Sequence, residues 1–343
     1  MAQDFRVTGP TRPSWGVVVT CSEPLALTLG FAAHYLALGA SEIQVFLDRP
    51  QATCASLLAR LPGVTVTLCD GEHWARASRF GRRPDTVTQR QLENAALAYA
   101  RSGVDWLMHV DCDEFLLPTL PFHEILAGAP DNVEYLHFRN LERSLLRDQP
   151  QRDIFDGVFR HAVPPLWMKD LPDRLRTEPY TRGGFTGHLE GKTIQRTGLR
   201  ILPGIHSPRP LPEFPRRYLN SWTLPTAHIL HFEGMTRKHW TSKLSRLYAA
   251  PRDRRRMRRT QPVRHAHLQF LEENATDPQA VHHLYDRLKV LDRDDAARLE
   301  ALGLLERPDL DIGRSLNEAG LAGEVETSVA AFDAELDQPP FAA

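Results

Sequence analysis

Short apolar runs alternate with amphipathic stretches over the first part of the chain. Trp15–Cys21 (WGVVVTC) is a continuous apolar run, the kind a parallel sheet buries on both faces. Leu25, Leu29, Ala32 and Leu36 follow at helical spacing, and Gly39 marks the end of that helix. Ile43–Asp48 predicts a second strand, closed by the Arg49-Pro50 turn, and 52–61 a short helix. Val64–Asp70 predicts a third strand, Asp85–Arg101 a helix through Leu92, Ala96 and Tyr99, and Asp105–Asp111 a fourth strand. This β-α-β-α-β-α-β order predicts an α/β fold with a doubly wound, mostly parallel sheet flanked by helices.

Beyond Pro118 the alternation stops. Val133–Leu141 reads as a further strand and Ser144–Pro165 as a polar loop, while His188–Arg196 and Leu199–His206 suggest a hairpin. The prolines between Pro203 and Pro225 argue for an extended surface segment. Ala227–Gly234 is one more apolar strand, and MTRKHWTSKLSRLY continues as an amphipathic helix. The expected organisation is an N-terminal tail (1–14), an α/β core (15–235) and a helical C-terminal region (236–343).

Composition narrows the class only modestly. With 343 residues, 42% hydrophobic and 25% charged, the chain reads as an ordinary globular protein. A formal net charge of −1 gives no global field for nucleic acid. Cys21, Cys54, Cys69 and Cys112 lack metal-ribbon spacing, which favours a reducing compartment. The opening MAQDFRVTGPTRPSW has no apolar signal core, and no run approaches the ~20 apolar residues a bilayer span needs. The expectation is a cytoplasmic protein, with peripheral attachment at the inner membrane surface left open.

Chemistry concentrates where the strands end. In a parallel sheet ligands bind at the carboxyl ends, and three proposed strands end at Asp48, Asp70 and Asp111. In WLMHVDCDEFLLP, Asp111 and Asp113 lie two apart, so on a strand they converge while Cys112 points away. Two close carboxylates repel unless a cation lies between them, and their hard oxygens suit Mg²⁺ or Mn²⁺ bridging to a diphosphate. The alternative for an Asp-x-Asp is a solvated strand end whose carboxylates cap the next turn.

HVDCDEFLLP resembles the D-x-D-E-F segment of GT-A glycosyltransferases, in particular the family 2-like and family 92-like group. TCSEPLALTLGFAAHYLALGASEIQVFLD, RQLENAALAYARSGVDWLMHVDCDEF, LEGKTIQR with GIH, and HILHFEGMTRKHWTSK resemble further pieces of that group in the same order, from about Trp15 to Tyr248. One departure is Ser22-Glu23, where the group carries Asn-Glu. The resemblance implies a GT-A type, Rossmann-like fold and a metal-dependent enzyme using Mn²⁺ or Mg²⁺. It would transfer a sugar from a UDP- or GDP-linked donor to a glycan or other acceptor hydroxyl, inverting, with surface polysaccharide synthesis as the default setting.

By the same resemblance, Thr20, Glu23, Asp48, Arg90, Gln91 and Asp111 would meet the donor, and Lys192 and Lys243 its phosphates. Asp111 and Asp113 would hold the metal with His206 or His231 as a further ligand. Glu190, Glu233 and Glu114 are the acidic candidates for the base that takes the acceptor's proton. RDRRRMRRTQPVR (Arg252–Arg264) has seven arginines against one Asp; it suits a solvated basic helix, an anionic acceptor or contact with anionic headgroups. It has no aromatics to stack on bases, so nucleic acid is not expected. Two other readings remain: a non-catalytic nucleotide- or sugar-binding module on the same fold, and a metal-dependent phosphohydrolase built on Asp111 and Asp113.

Overall fold

The computed structural model describes residues 12–49, 51–247, 257–339 and 341. The expected N-terminal tail therefore lies almost wholly outside the described residues, as do Tyr248 and positions 252–256 of the arginine-rich segment.

The first part of the chain forms β1 (Trp15–Cys21), α1 (Leu25–Ala37), β2 (Glu42–Leu47), α2 (Ala52–Leu58), β3 (Val64–Leu68), α3 (Gly71–Ala77), α4 (Val87–Arg101) and β4 (Trp106–His109). These four strands are parallel in the order β4-β1-β2-β3. The chain winds outward from β1 and then returns to β1's other side. A topological switch point therefore opens between the carboxyl ends of β1 and β4. The apolar run of β1 is explained by burial on both faces. Val17 and Val19 pack with α1 residues such as Leu27 and Phe31, while Val18 packs with Trp74, Ala95 and Ala98 on the other side.

Local capping sets the helices. Asp70 accepts a hydrogen bond from the His73 amide and starts α3, so its carboxylate serves as an N-cap. Thr86 does the same for α4 through Gln89. Gly39, at φ 89°, turns the chain out of α1 as its position in the sequence predicts.

The second part comprises β5 (Glu114–Pro118), α5 (Phe122–Ala127), β6 (Tyr135–Leu146), β7 (Val158–Arg160), β8 (Lys192–Arg196), β9 (Ile201–Leu202), β10 (Arg209–Pro210), β11 (Ser221–His231) and α6 (Arg237–Leu247). Later helices span Pro262–Glu273, Pro278–Lys289, Arg293–Ala301, Ile312–Glu318 and Val329–Glu335, with short strands β12 (Val290–Leu291) and β13 (Leu305–Glu306) among them. Eleven strands form one α/β sheet in the order β13-β7-β6-β8-β4-β1-β2-β3, with β11 beside β5 and β6 and β12 beside β6. Antiparallel pairing enters at β8, which lies between β4 and β6.

Three sequence expectations are corrected here. β8 and β9 do not form a hairpin: β8 fills the gap between β4 and β6, and β9 pairs with β10. Ser144–Pro165 is not simply a polar loop, because β6 runs on to Leu146 and β7 brings Val158 and Phe159 into the interior. Pro225 does not keep the preceding residues out of the sheet: β11 starts at Ser221 and takes a register shift between Thr223 and His228. After Thr236 the chain is mostly helical, yet β12 and β13 join the sheet, and Ile312, Leu316 and Phe332 enter the main core. Among the described residues, no helix is long and apolar enough to cross a membrane.

Candidate functional site

A cleft of about 850 Å³ opens over the carboxyl ends of β1, β2 and β4. Six acidic side chains and seven lysines or arginines line it, so its charge is nearly balanced. It has one wall from the parallel strands and α4. The other wall comes from residues 182–206, from α6 and from residues 260–264.

The acid pair sits at the centre. Asp111 and Asp113 do not lie on a strand; β4 stops at His109, and a turn closed by Glu114 N–H to the Asp111 carbonyl (3.1 Å) carries both. Cys112 turns into the core, with its sulfur 3.3 Å from that of Cys21. Lysines meet the carboxylates. Lys192 Nζ lies 2.8 Å from Asp111 Oδ2, 3.0 Å from Glu114 Oε2 and 3.1 Å from the Ile205 carbonyl. Lys243 Nζ donates to Asp113 Oδ2 at 2.5 Å. Burial disfavours the charged form of each group, but the lysines win. They hold Asp111 far below the carboxylate range and Glu114 down at about 2, while both ammonium groups are pushed above the usual lysine range. Gln91 donates to Asp111 Oδ1. Lys192 and Lys243, expected on phosphate, thus spend their charge on carboxylates.

At one end of the cleft, Asp48 Oδ2 accepts from Arg90 Nε at 2.8 Å and from Arg83 Nη2 at 2.7 Å. Its Oδ1 is buried with no hydrogen-bond partner. Arg90 is held in turn by the carbonyls of Pro84 and Asp85. Thr20 Oγ1 accepts from Asn94 at 3.0 Å. Glu23 turns toward α6, where His239 Nε2 lies 2.8 Å away and Arg246 3.8 Å away. Against the burial that would raise it, His239 brings Glu23 down to about 2. Glu23 lines the cleft and ties β1 to α6.

At the other end three imidazoles converge. The His188 ring centre lies 4.4 Å from that of His206 and 4.7 Å from that of His231. A buried carboxylate builds this end: Glu142 accepts from the Thr186 amide (2.7 Å), the Thr186 hydroxyl (2.9 Å) and the Gly187 amide (2.7 Å). Lys289 (3.3 Å) and Arg160 (3.8 Å) balance its charge. Glycine is required at 187, since a Cβ there would stand 2.6 Å from His231 Cε1 and 2.9 Å from Glu142 Oε2. His231 Nε2 lies 3.1 Å from Glu233 Oε2 and 3.9 Å from Asp113 Oδ2. Burial lowers the affinity of His231 for its proton, yet Glu233 and Asp113 bring the net shift upward. Glu233 holds a left-handed φ of 43° and pairs with Arg264 at 2.8 Å. Arg264, the last residue of the arginine-rich segment, is therefore part of the cleft wall.

The expected base candidates separate on this geometry. Glu114 and Glu233 are buried and occupied by Lys192 and His188, and by Arg264 and His231. Glu190 is about half exposed at the cleft edge, with Oε2 3.8 Å from His188 Nδ1. Of the three, it alone is exposed enough to touch an acceptor.

A divalent ion on Asp111 and Asp113 has to share both carboxylates with lysines that already neutralise them. Nitrogen donors are better disposed. Ligand atoms of His188, Glu190 and His206 lie within 4.8 Å of one another, as do those of Glu114, His188 and His231, and of Asp113, His231 and Glu233. The expected histidines, His206 and His231, each belong to such a group, and Asp113 to one.

Sequence reasoning missed His188, Glu142, Arg83, Arg246 and His239. His188 carried a signal: it stands two residues before Glu190 in HLEGK, so on an extended chain both point the same way. Glu142 carried none, because its partners lie 44 and 147 positions away.

No protein-family model matches the chain. It is 24% identical over 351 residues to a glycosyltransferase-like protein of Arabidopsis thaliana, covering 92% of this chain and 75% of that one. A second glycosyltransferase-like protein of the same plant is 23% identical over 270 residues, covering 70% of this chain and about half (51%) of its own length. Solved structures are more distant. HddC of Yersinia pseudotuberculosis matches 63% of this chain and 92% of its own at 9% identity, with a TM-score of 0.32. A mycobacterial protein matches 70% and 76% at 15% identity, also at 0.32. At such scores these structures add nothing to the fold. The similarity to glycosyltransferase-like proteins agrees with the motif resemblance.

Proposed function

We propose that the chain is a glycosyltransferase that moves a sugar from a nucleotide-diphosphate donor to an acceptor hydroxyl, with a divalent Mn²⁺ or Mg²⁺ ion. The observation that carries this reading is the cleft itself. It lies at the switch point of the parallel sheet, with Asp48 and Arg90 at one end and the acid pair and histidines at the other. The similarity over 92% of the chain to a glycosyltransferase-like relative supports the same class.

In this reading the nucleoside lies along Thr20, Asp48, Arg83 and Arg90, where the open Asp48 Oδ1 accepts from a base or ribose donor. Gln91 and Lys192 fix Asp111 beside the ribose, and Lys243 fixes Asp113. Arg246 faces the diphosphate from α6. Among the described residues six acids line the cleft against seven cations, a near balance that favours a donor arriving with an ion. When bound, the ion stabilises the charge that develops on the leaving diphosphate.

A double displacement needs a carboxylate free to attack the anomeric carbon. Asp111, Asp113, Glu114 and Glu233 all spend oxygens on buried cations or histidines, and the half-exposed Glu190 stands at the cleft edge where the acceptor enters, which favours a single displacement with inversion. The acceptor, a glycan or another hydroxyl compound, enters past Glu190 and residues 258–264, where exposed Arg258 and Arg259 suit an anionic group.

Thermal melting with UDP, GDP and other nucleoside diphosphates, with and without Mn²⁺, tests the reading. At a hundred times Kd, binding should add about 2.7 kcal/mol of stability for one base, and more with Mn²⁺ than without. Nucleotide binding with no release of sugar from any donor would instead support a binding module, and no response to any nucleotide would refute the proposal.

A further inference from the structure

His188 and His206 are each held by one ring nitrogen and left with the other. Glu114, ionised and therefore only an acceptor, takes the His188 Nε2 proton at 3.0 Å. In the neutral ring this leaves a lone pair on Nδ1, which is buried and has no hydrogen-bond partner. The Gly191 carbonyl can only accept, so His206 Nδ1 donates to it at 3.0 Å and Nε2 keeps its lone pair. A carboxylate behind one imidazole and a backbone carbonyl behind the other is the arrangement that fixes ligating histidines in metal sites. Glu190 completes the set: one ligand atom from each of the three residues lies within 4.8 Å of the others.

We propose that His188, His206 and Glu190 form the seat of a divalent transition-metal ion, which the Asp111–Asp113 pair does not provide. Asp111 carries Lys192 and Gln91, and Asp113 carries Lys243, so an ion there has to displace a buried ammonium. Among the described residues the cation beside the seat is Arg182, 4.0 Å from Glu190 Oε1 at the exposed edge, and Glu190 Oε2 accepts from the Leu189 amide at 3.0 Å, so no buried ammonium has to be displaced. Two imidazole nitrogens and one carboxylate oxygen select Mn²⁺, Co²⁺ or Zn²⁺ over Mg²⁺ or Ca²⁺. Glu190 becomes a ligand, and the edge position of the seat lets an ion keep open positions toward the cleft. Glu142 and Gly187 are positioning residues, since they fix the turn that carries His188.

The inference concerns metal binding and is tested without turnover. Chelator-treated full-length protein is titrated with Co²⁺, whose visible absorption reports nitrogen ligands, alongside Mg²⁺ as a competitor. Wild type should take up one Co²⁺ per chain and resist millimolar Mg²⁺. His188→Gln and His206→Gln should each lose the absorption, and Glu190→Gln, at a half-exposed position that folding does not depend on, should weaken uptake about tenfold or more. Asp113→Asn should retain it. Uptake lost in Asp113→Asn and kept in the histidine variants overturns the proposal, as does no uptake by folded wild type. The nucleotide melting series is read separately: a nucleotide response without Co²⁺ at the imidazoles rejects this seat and leaves the transferase reading standing.

Discussion

One wall of the cleft comes from β1, β2, β4 and α4, the other from residues 182–206, α6 and the chain around Arg264. The first wall is regular. Its side chains project from strand ends and a capped helix, and each is fixed by neighbours close in the sheet, as Arg90 on Asp48 and Asn94 on Thr20. The second wall is irregular and held by buried charge: Glu142 under Thr186 and Gly187, Lys192 across Asp111 and Glu114, Arg264 on Glu233. In the first wall hydrophobic burial positions the polar groups; in the second, polar groups position one another. That difference predicts where single substitutions do most damage.

The largest effect is expected in the second wall. Lys192→Met leaves Asp111 and Glu114 buried without their ammonium and should destabilise by about 3–5 kcal/mol, read as a lower melting temperature. Glu142→Gln should approach the same size, since it strands Lys289 and Arg160 and loosens the Thr186–Gly187 turn. A loss under 1 kcal/mol for both would erase the contrast between the walls. Gly187→Ala should cost about 1–3 kcal/mol through overpacking against His231 and Glu142.

Substitution at the exposed rim of the first wall should leave folding nearly intact and act on ligand. Arg83 is about half exposed, so Arg83→Ala should barely move the melting temperature while weakening nucleotide binding roughly tenfold, the value of one charge-assisted contact. Acid acts on both walls. Glu114 and Glu23 both bind protons less readily folded than unfolded, brought from 4.5 to about 2. Their contribution is therefore complete above about pH 4.5 and drains away as pH falls toward 2. Melting temperature followed from pH 6 to 2.5 should drop in that window, and Glu114→Gln should flatten the drop.

The same contrast decides what the sequence could tell. WGVVVTC, the amphipathic stretches and the strand ending near Asp111 are legible because burial on two faces leaves a periodic trace over contiguous residues. Asp48 and Arg90 were recognisable from their places in that pattern and in the motif resemblance. The second wall leaves no such trace. Lys192 looks like a phosphate contact until β8 is seen between β4 and β6, where its ammonium reaches Asp111 and Glu114. His188 lies in a stretch whose shape depends on Glu142, reached only through β6. Pairings over such separations depend on sheet order, and the sequence beyond Pro118 does not set that order by period.

The central claim is that the cleft takes a nucleotide-sugar and transfers its sugar. The most direct measurement is release of nucleoside diphosphate from a panel of nucleotide-sugars by the full chain with Mn²⁺, with Asp113→Asn as the control. The account predicts release above background from a donor of one base, lost in folded Asp113→Asn protein. No release from any donor, together with no stabilisation by any nucleotide, would contradict it.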